Sequence, residues 1–438
     1  DGAILGQTFQ LEAMGTLRGE GPEAVADALA PLINLELLEM DDDPRSPERG
    51  QYRFVQPLIH EVAYQRLGRD DRRAKHLQVA AYYEEKDDPE LAGIVAGHFM
   101  CAYEATPAGP EKEEMISKAM AALTGAANRA VELHSYRQAI EMLEEAIDLA
   151  PDEALCVDQR IAAAYACNNN NEPDRGLAHL DASRAWAEGE GDTERIREIA
   201  TASAAVLNSH YRSDQALAAI EGAYRGLEEI DGPVSIALAA EAARTFSLTQ
   251  RLDDAIEAVD RLLPAASDMG DATVVLHAIV SKATALAWLG RRVEAYALLR
   301  GVAEEAETRG ILDPAGRALN NLAAIVQNRN PQESDRIADR LGVLISRTGN
   351  ISWQVRQLGD AADWAIDDGR YEEAASIMDD LEAEDLNDFW QRAVDMHRHR
   401  MAYRQTGDLE AHRKAWEAAI SFDDEADQQI RSGFDHYK

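Results

Sequence analysis

Cysteine is almost missing from this chain, with three residues in 438, and Cys101, Cys156 and Cys167 stand at no metal-ligand spacing. An odd count leaves no complete disulfide framework, so a reducing, cytoplasmic setting is the expectation. Basic residues are scarce beside acidic ones: 44 Lys and Arg face 80 Asp and Glu, a formal charge of -36. Phosphate binding depends on Lys and Arg, so neither nucleic acid nor an anionic membrane is an expected partner of this segment. Apolar runs of membrane-spanning length are lacking, as is an opening basic stretch followed by an apolar core. No Gly-Lys pair occurs, which removes the phosphate-cradling loop GxxxxGK[ST]. The string "HEVAY" from His60 carries Tyr64 where a zinc protease needs its second histidine, and no GxSxG nucleophile elbow is present. His60 and Glu61 are therefore expected on a helix surface or in packing. His397 and His399 lie two apart on a helical stretch and diverge, so no metal site is expected there. The chain reads as a non-enzyme without cofactor or metal.

What the chain has in abundance is alanine at even intervals. Ala139, Ala216, Ala255, Ala295, Ala374 and Ala411 recur, and with Gly176 and Ser334 in the two open slots the steps are 37, 40, 39, 40, 39, 40 and 37 residues. A second small residue stands twelve positions earlier in most units, at Ala127, Ala164, Ala204, Ala243, Ala283 and Ala362. Small residues at fixed places let paired helices approach closely. Turn signals separate the units, for example "EGEGD" from Glu188 and "SDMGD" from Ser267. In the first unit Leu123, Ala127 and Ala130 form one stripe, Ala139, Leu143 and Ala146 a second, and Pro151 stops the helix. Tyr136, Ala139, Leu143, Ala146 and Pro151 resemble the second helix of a tetratricopeptide repeat. The expected fold is mainly α: a right-handed superhelical, tetratricopeptide-like solenoid of about eight helix pairs over residues 116–438. The run from Asn168 to Asn171 is expected to lengthen a turn. Trp288, Trp353, Trp364, Trp390 and Trp416 are expected mostly in packing.

Residues 1–85 do not follow that period. Two helical stretches from Ala3 and Pro22 precede two short strand-like runs, "LELLEM" and "YRFVQ", joined by the polar "DDDPRSPERG", and a further helix "PLIHEVAYQRL". This order predicts a small winged-helix domain, with linker helices over 86–115. The segment "YRFVQPLIHEVAYQRLGRDDRRAKHLQVAAYYEE", with "AILGQTF" some fifty residues earlier, resembles the winged-helix region of signal-transducing ATPases with numerous domains. That family includes relatives of the maltotriose-responsive activator and the ATPase-repeat regions of bacterial class III nucleotidyl cyclases. The resemblance implies that this chain is the carboxy-terminal part of a larger bacterial polypeptide whose ATPase core precedes it. The cluster Arg66, Arg69, Arg72, Arg73 and Lys75 is interrupted by Asp70 and Asp71, and is expected at a solvated helix end or an intramolecular contact rather than on DNA.

A binding surface is sought on the first helices, which line the concave face in tetratricopeptide-like units. Counting back from the marking alanines places Arg356, Asp363, Arg392, Met396, Arg400, Tyr403 and Arg404 there, the last five on one helix face. A basic and aromatic stripe on so acidic a chain suits a protein or peptide partner, an acidic peptide in particular, or a small anionic effector. Earlier first helices present Asn208, Arg244, Ser247, His277 and Thr284, a polar lining that forms the alternative groove. The expected function is a regulatory sensor and interaction arm of an upstream ATPase, the alternative a scaffold with no coupled ATPase.

Overall fold

The computed structural model describes residues 1–42, 45–46, 49–210, 212–327, 330–348, 351–382, 388–410 and 413–414. The chain divides into two compact units, Asp1–Gln159 and Arg160–Lys438.

The first unit opens with α1 (Gly2–Leu5), β1 (Thr8–Phe9), α2 (Leu11–Arg18), α3 (Pro22–Asn34), β2 (Leu38–Met40), β3 (Tyr52–Phe54), α4 (Pro57–Gln65) and α5 (Arg69–Glu84). The strands form an antiparallel sheet in the order β1-β3-β2, with Thr8 opposite Arg53 and Leu38 opposite Phe54. Phe9, Val25, Leu29, Leu38, Tyr52 and Phe54 close its core, and Gly2 is held by space, since a Cβ there would come within 2.8 Å of the Phe9 ring. The basic residues that follow are engaged within the unit. Arg69 donates to the carbonyls of Ala105 and Glu104, Arg73 pairs with Glu111, Lys75 lies 2.8 Å from Asp1, and Arg72 covers the Tyr64 ring. His60 also packs, with Nε2 3.0 Å from the Ala3 carbonyl and its ring edge-on to Phe54.

Helix α6 (Ala92–Ala105) packs on α5 and on α7 (Pro110–Glu132), which pairs with α8 (Tyr136–Leu149). The expected limit at residue 115 falls inside α7. Pro110 starts that helix, and the buried stripe Met115, Ala119, Leu123 and Ala126 continues past the limit without a break. Helix α9 (Val157–Asn169) carries the boundary between the units, and the asparagine run ends it in a turn where Asn171 has φ 62°.

The second unit continues with α10 (Pro173–Glu190), α11 (Thr193–Ser209), α12 (Ser213–Arg225), α13 (Pro233–Leu248), α14 (Leu252–Asp268), α15 (Ala272–Trp288), α16 (Arg292–Arg309), α17 (Leu312–Gln327), α18 (Pro331–Thr348), α19 (Ile351–Asp367), α20 (Tyr371–Glu382) and α21 (Asp388–Thr406). The starts are capped locally, Asp192 and Asp271 accepting backbone amides of Arg195 and Val274. Gly191 and Gly310, at φ 68° and 72°, end α10 and α16 in the left-handed conformation that lacks a steric penalty only for glycine. Partners α11 and α12, α13 and α14, α15 and α16, α17 and α18, and α19 and α20 pack together. Each second helix from α12 to α18 then meets the next first helix. Counting α7 to α20 from the first unit onward, the described residues hold seven helix pairs followed by α21.

The marking residues lie where the spacing placed them. Ala139, Ala216, Ala255, Ala295 and Ala374 are fully buried in second helices, as are Ala127, Ala164, Ala204, Ala243, Ala283 and Ala362 in first helices. Gly176 shows why: an added Cβ would stand 3.0 Å from the Ala164 carbonyl oxygen. Ser334 fits the other open slot because its hydroxyl donates to the Ala323 carbonyl at 3.1 Å. Ala411 lies outside the described residues. Ala295→Leu is expected to destabilise the second unit by about 1 to 3 kcal/mol through overpacking. Urea unfolding with an unshifted midpoint would contradict close packing at this crossing.

One buried polar chain joins α4, α5 and α6: the Tyr64 hydroxyl lies 3.0 Å from His76 Nε2, and His76 Nδ1 lies 2.9 Å from His98 Nδ1. Burial, the His98 ring and Arg72 lower the His76 pKa to about 4, and burial lowers that of His98 to about 4. Both are neutral in the folded state while the unfolded chain takes up protons below its ordinary value near 6.5. Their contribution is therefore complete above that value and declines as pH falls toward 4. Wild type should lose about 3 to 4 kcal/mol more than a His76→Phe/His98→Phe double variant between pH 7 and 5. Parallel stability profiles for the two proteins would remove the pair from the acid response.

Candidate functional site in the first-helix face

Because α11, α13, α15 and α17 lie side by side, and α19 beside α21, residues one repeat apart come into contact. Asn208 donates to Glu241 at 2.7 Å and to the Thr245 hydroxyl at 2.8 Å, 37 residues on. Asn321 donates to the Thr284 hydroxyl at 2.9 Å, again across 37 residues. Arg317 donates to His277 Nδ1 at 2.8 Å across 40 residues, and to the Ser281 hydroxyl at 3.3 Å. The Trp353 indole donates to Asp313 at 3.1 Å, also across 40. The sequence period thus becomes a ladder of polar rungs from one first helix to the next.

The middle of the ladder has a defined protonation pattern. A guanidinium only donates, so His277 Nδ1 accepts from Arg317 and its Nε2–H donates to Asp313 at 3.1 Å. Burial opposes the charge on Asp313, yet the His277 hydrogen bond and the charges of Arg317 and Arg244 outweigh it and hold the carboxyl below its ordinary range. Asp313 nevertheless keeps an exposed side. Tyr165 on α9 is 40% exposed, and burial together with the Glu241 charge pushes its phenol up against the opposing pull of Arg244.

Of the alternative groove, His277 and Thr284 are half-buried in these rungs and Arg244 is half-buried on α13. Asn208 and Ser247 are not lining residues: both are buried, and the Ser247 hydroxyl donates to the Arg244 carbonyl. Sequence reasoning missed Tyr165, Glu241, Asp313, Arg317 and Asn321. Adding the repeat length to His277 and Thr284 reaches Arg317 and Asn321, so the signal was present.

The late stripe differs from expectation more sharply. Met396 is buried, and Arg400, with 9% of its side chain exposed, is held by both Asp363 and Asp367 of α19. These carboxylates lie 37 and 33 residues upstream, so a helix-face count on α21 alone does not reveal them. Burial opposes ionisation of Asp363, but His397 and Arg400 outweigh it and lower its pKa. Tyr403 is half-buried, and Arg404 remains exposed, 3.4 Å from Asp367. The side chains of Arg356 and Arg392 lie outside the described residues. Trp353 and Trp364 pack against the core and Trp288 is 44% exposed, while the Trp390 side chain and Trp416 lie outside the described residues. Among the described residues no cluster of His, Cys, Asp and Glu could hold a metal, and no helix is long and apolar enough to cross a membrane.

Paired helices with small crossing residues and contiguous first helices define a tetratricopeptide-like repeat array. No family model matches the chain, and no curated relative aligns with it. Among solved structures it is similar to a signal transduction ATPase with numerous domains that carries a tetratricopeptide repeat sensor, from Pyrococcus horikoshii. The identity is 14% over 98% of this chain and 64% of that one, with a TM-score of 0.40, so the chain spans less than two thirds of that protein. It is also similar to a Rap protein complexed with competence and sporulation factor, at 13% identity over 84% of this chain and 98% of that one, with a TM-score of 0.49.

The late network yields a contrast between neighbours. Arg400→Glu should cost about 3 kcal/mol or more, because it sets a buried anion against two carboxylates. Arg404→Glu, exposed and distant from its partner, should cost within about 1 kcal/mol. Equal losses in urea unfolding would show that the Arg400 pair does not hold α21 on α19.

Proposed function

We propose that this chain is a non-catalytic regulatory sensor and interaction arm of a larger signalling ATPase. In this reading residues 1–85 form a winged helix, 86–115 a linker, and 116–438 a solenoid of about eight pairs. The order helix, strand, two helices and two strands in the first unit supports the winged-helix part. Helix α3 carries Glu23 and Asp27 but no Lys or Arg, and the basic residues of α5 have intramolecular partners, which favours a protein contact over DNA.

The observation that carries the proposal is the polar ladder. Surface polar groups on an interaction face are held at fixed spacing by neighbouring repeats, so a bound ligand spanning two first helices changes their relative preference. Arg317, Asn321, His277 and Asp313 are the strongest positions, with Arg404 and Tyr403 at the late end, and the ligand is a protein, peptide or small effector.

The test uses the polypeptide encoded by the complete reading frame. If an ATPase core is encoded upstream, Arg317→Met and Asn321→Leu should change its ligand-dependent ATP hydrolysis about five-fold or more while the helical circular-dichroism signal is retained. Absence of an upstream core, or hydrolysis indifferent to both substitutions, would sink the sensor reading and leave the scaffold.

A further inference from the structure

Away from the polar ladder, exposed apolar side chains gather at the turn between α15 and α16. Trp288 and Leu289 are each 44% exposed, and Val293, the second residue of α16, is 81% exposed. Single exposed apolar residues are ordinary, whereas several at one turn form a patch. The repeat register shows that the turn itself does not need them. Counted from the marking residues, the place of Val293 is taken in the other second helices by Arg137, Asp174, Asp214, Asp253, Gln332 and Glu372, and only Leu409, in the last unit, is also apolar. The places of Trp288 and Leu289 are taken elsewhere by pairs such as Asn169 and Asn170, Ser209 and His210, or Asp367 and Asp368. No other unit is apolar at all three places. Val293 also forgoes a local gain, because an acidic residue in the first turn of a helix interacts favourably with its unpaired amides. Helix stability does not account for the valine.

The charges around this patch are of both signs. Arg292 is exposed and has no ion pair among the described residues, while Arg291 beside it donates to Glu294 at 2.8 Å. Asp253, at the register position of Val293 one unit earlier, is exposed as well. An apolar centre flanked by a spare cation and by carboxylates is self-complementary, which is what a two-fold contact requires, since each group on one copy then meets its opposite on the other. A partner of one charge sign matches only half of it. We infer that Trp288, Leu289 and Val293 form the centre of a two-fold contact with a second copy of this chain, in which Arg292 faces the carboxylates flanking the patch on that copy. Three side chains present on the order of a few hundred Å2, well short of the roughly 800 Å2 per partner of a standard interface, so the dimer is weak and reversible. The contact uses no residue of the polar ladder and stands independently of the sensor reading.

Sedimentation equilibrium of the chain from about 5 to about 500 μM reads this contact, and the apparent mass should rise from that of one copy toward that of two. Val293→Asp restores the residue type that α10, α12 and α14 carry at the same place, so the circular-dichroism spectrum and the urea midpoint should be kept. It also sets a carboxylate into the apolar centre of both copies. The dissociation constant should therefore rise about a hundred-fold, about ten-fold for each copy. Raising sodium chloride from about 0.05 to about 0.5 M should strengthen association, because each copy carries a formal charge of -36 and screening relieves the repulsion between them. A mass that stays at one copy throughout overturns the inference. So does a dimer that Val293→Asp leaves intact, or one that salt disperses, which would mark a contact made by opposite charges rather than by this patch.

Discussion

Close approach of helix backbones at the small crossing residues is the constraint from which the remainder of the second unit follows. At Gly176 there is no space for a methyl group, and at Ser334 the hydroxyl fits by bonding the carbonyl it approaches. Side chains at these positions cannot hold the two helices of a unit apart, so each pair acts as one thick element with an apolar edge. That edge is covered by the next pair. Leu262, Leu299, Leu319 and Leu341 are fully or almost fully buried by this stacking, each worth about 2 kcal/mol relative to exposure. Stacking in turn sets first helices shoulder to shoulder, and polar residues one repeat apart then have no choice but to meet.

Their meeting determines which groups are free to act. The chain has few cations, and on the first-helix face Arg317 and Arg400 are held as rungs. Arg400 is the clearest case: read along α21 it belongs to an exposed basic stripe, yet two carboxylates on α19 enclose it. A count of charges on one helix therefore overstates the binding surface. The better guide is how well each charge is already partnered, and by that measure Arg400 is a structural residue whereas Arg404 remains exposed.

This also explains what was legible in the sequence. The alanine period specified the pairing, the buried crossings and the ends of the units, because each depends on one residue type at one place. It did not mark where α7 begins, since a continuous apolar stripe erases the junction between linker and repeat. The rungs were legible in part: His277 and Thr284 were on the face, but their partners Arg317 and Asn321 follow only once first helices are known to be neighbours. Asn208 and Ser247 look like lining residues by spacing and are buried by their neighbours instead.

The His277 and Asp313 pair finally bears on what kind of chemistry the face supports. A histidine donating to a carboxylate looks like the base of a nucleophile-activating arrangement. In such an arrangement the other ring nitrogen must accept a proton from a weakly acidic hydroxyl or thiol. Here that nitrogen accepts instead from Arg317, whose guanidinium does not give up its proton in a protein. Both nitrogens are thereby committed to hydrogen bonds with α17. The pair therefore ties α15 to α17 through two directional contacts and leaves neither ring nitrogen available to activate a nucleophile.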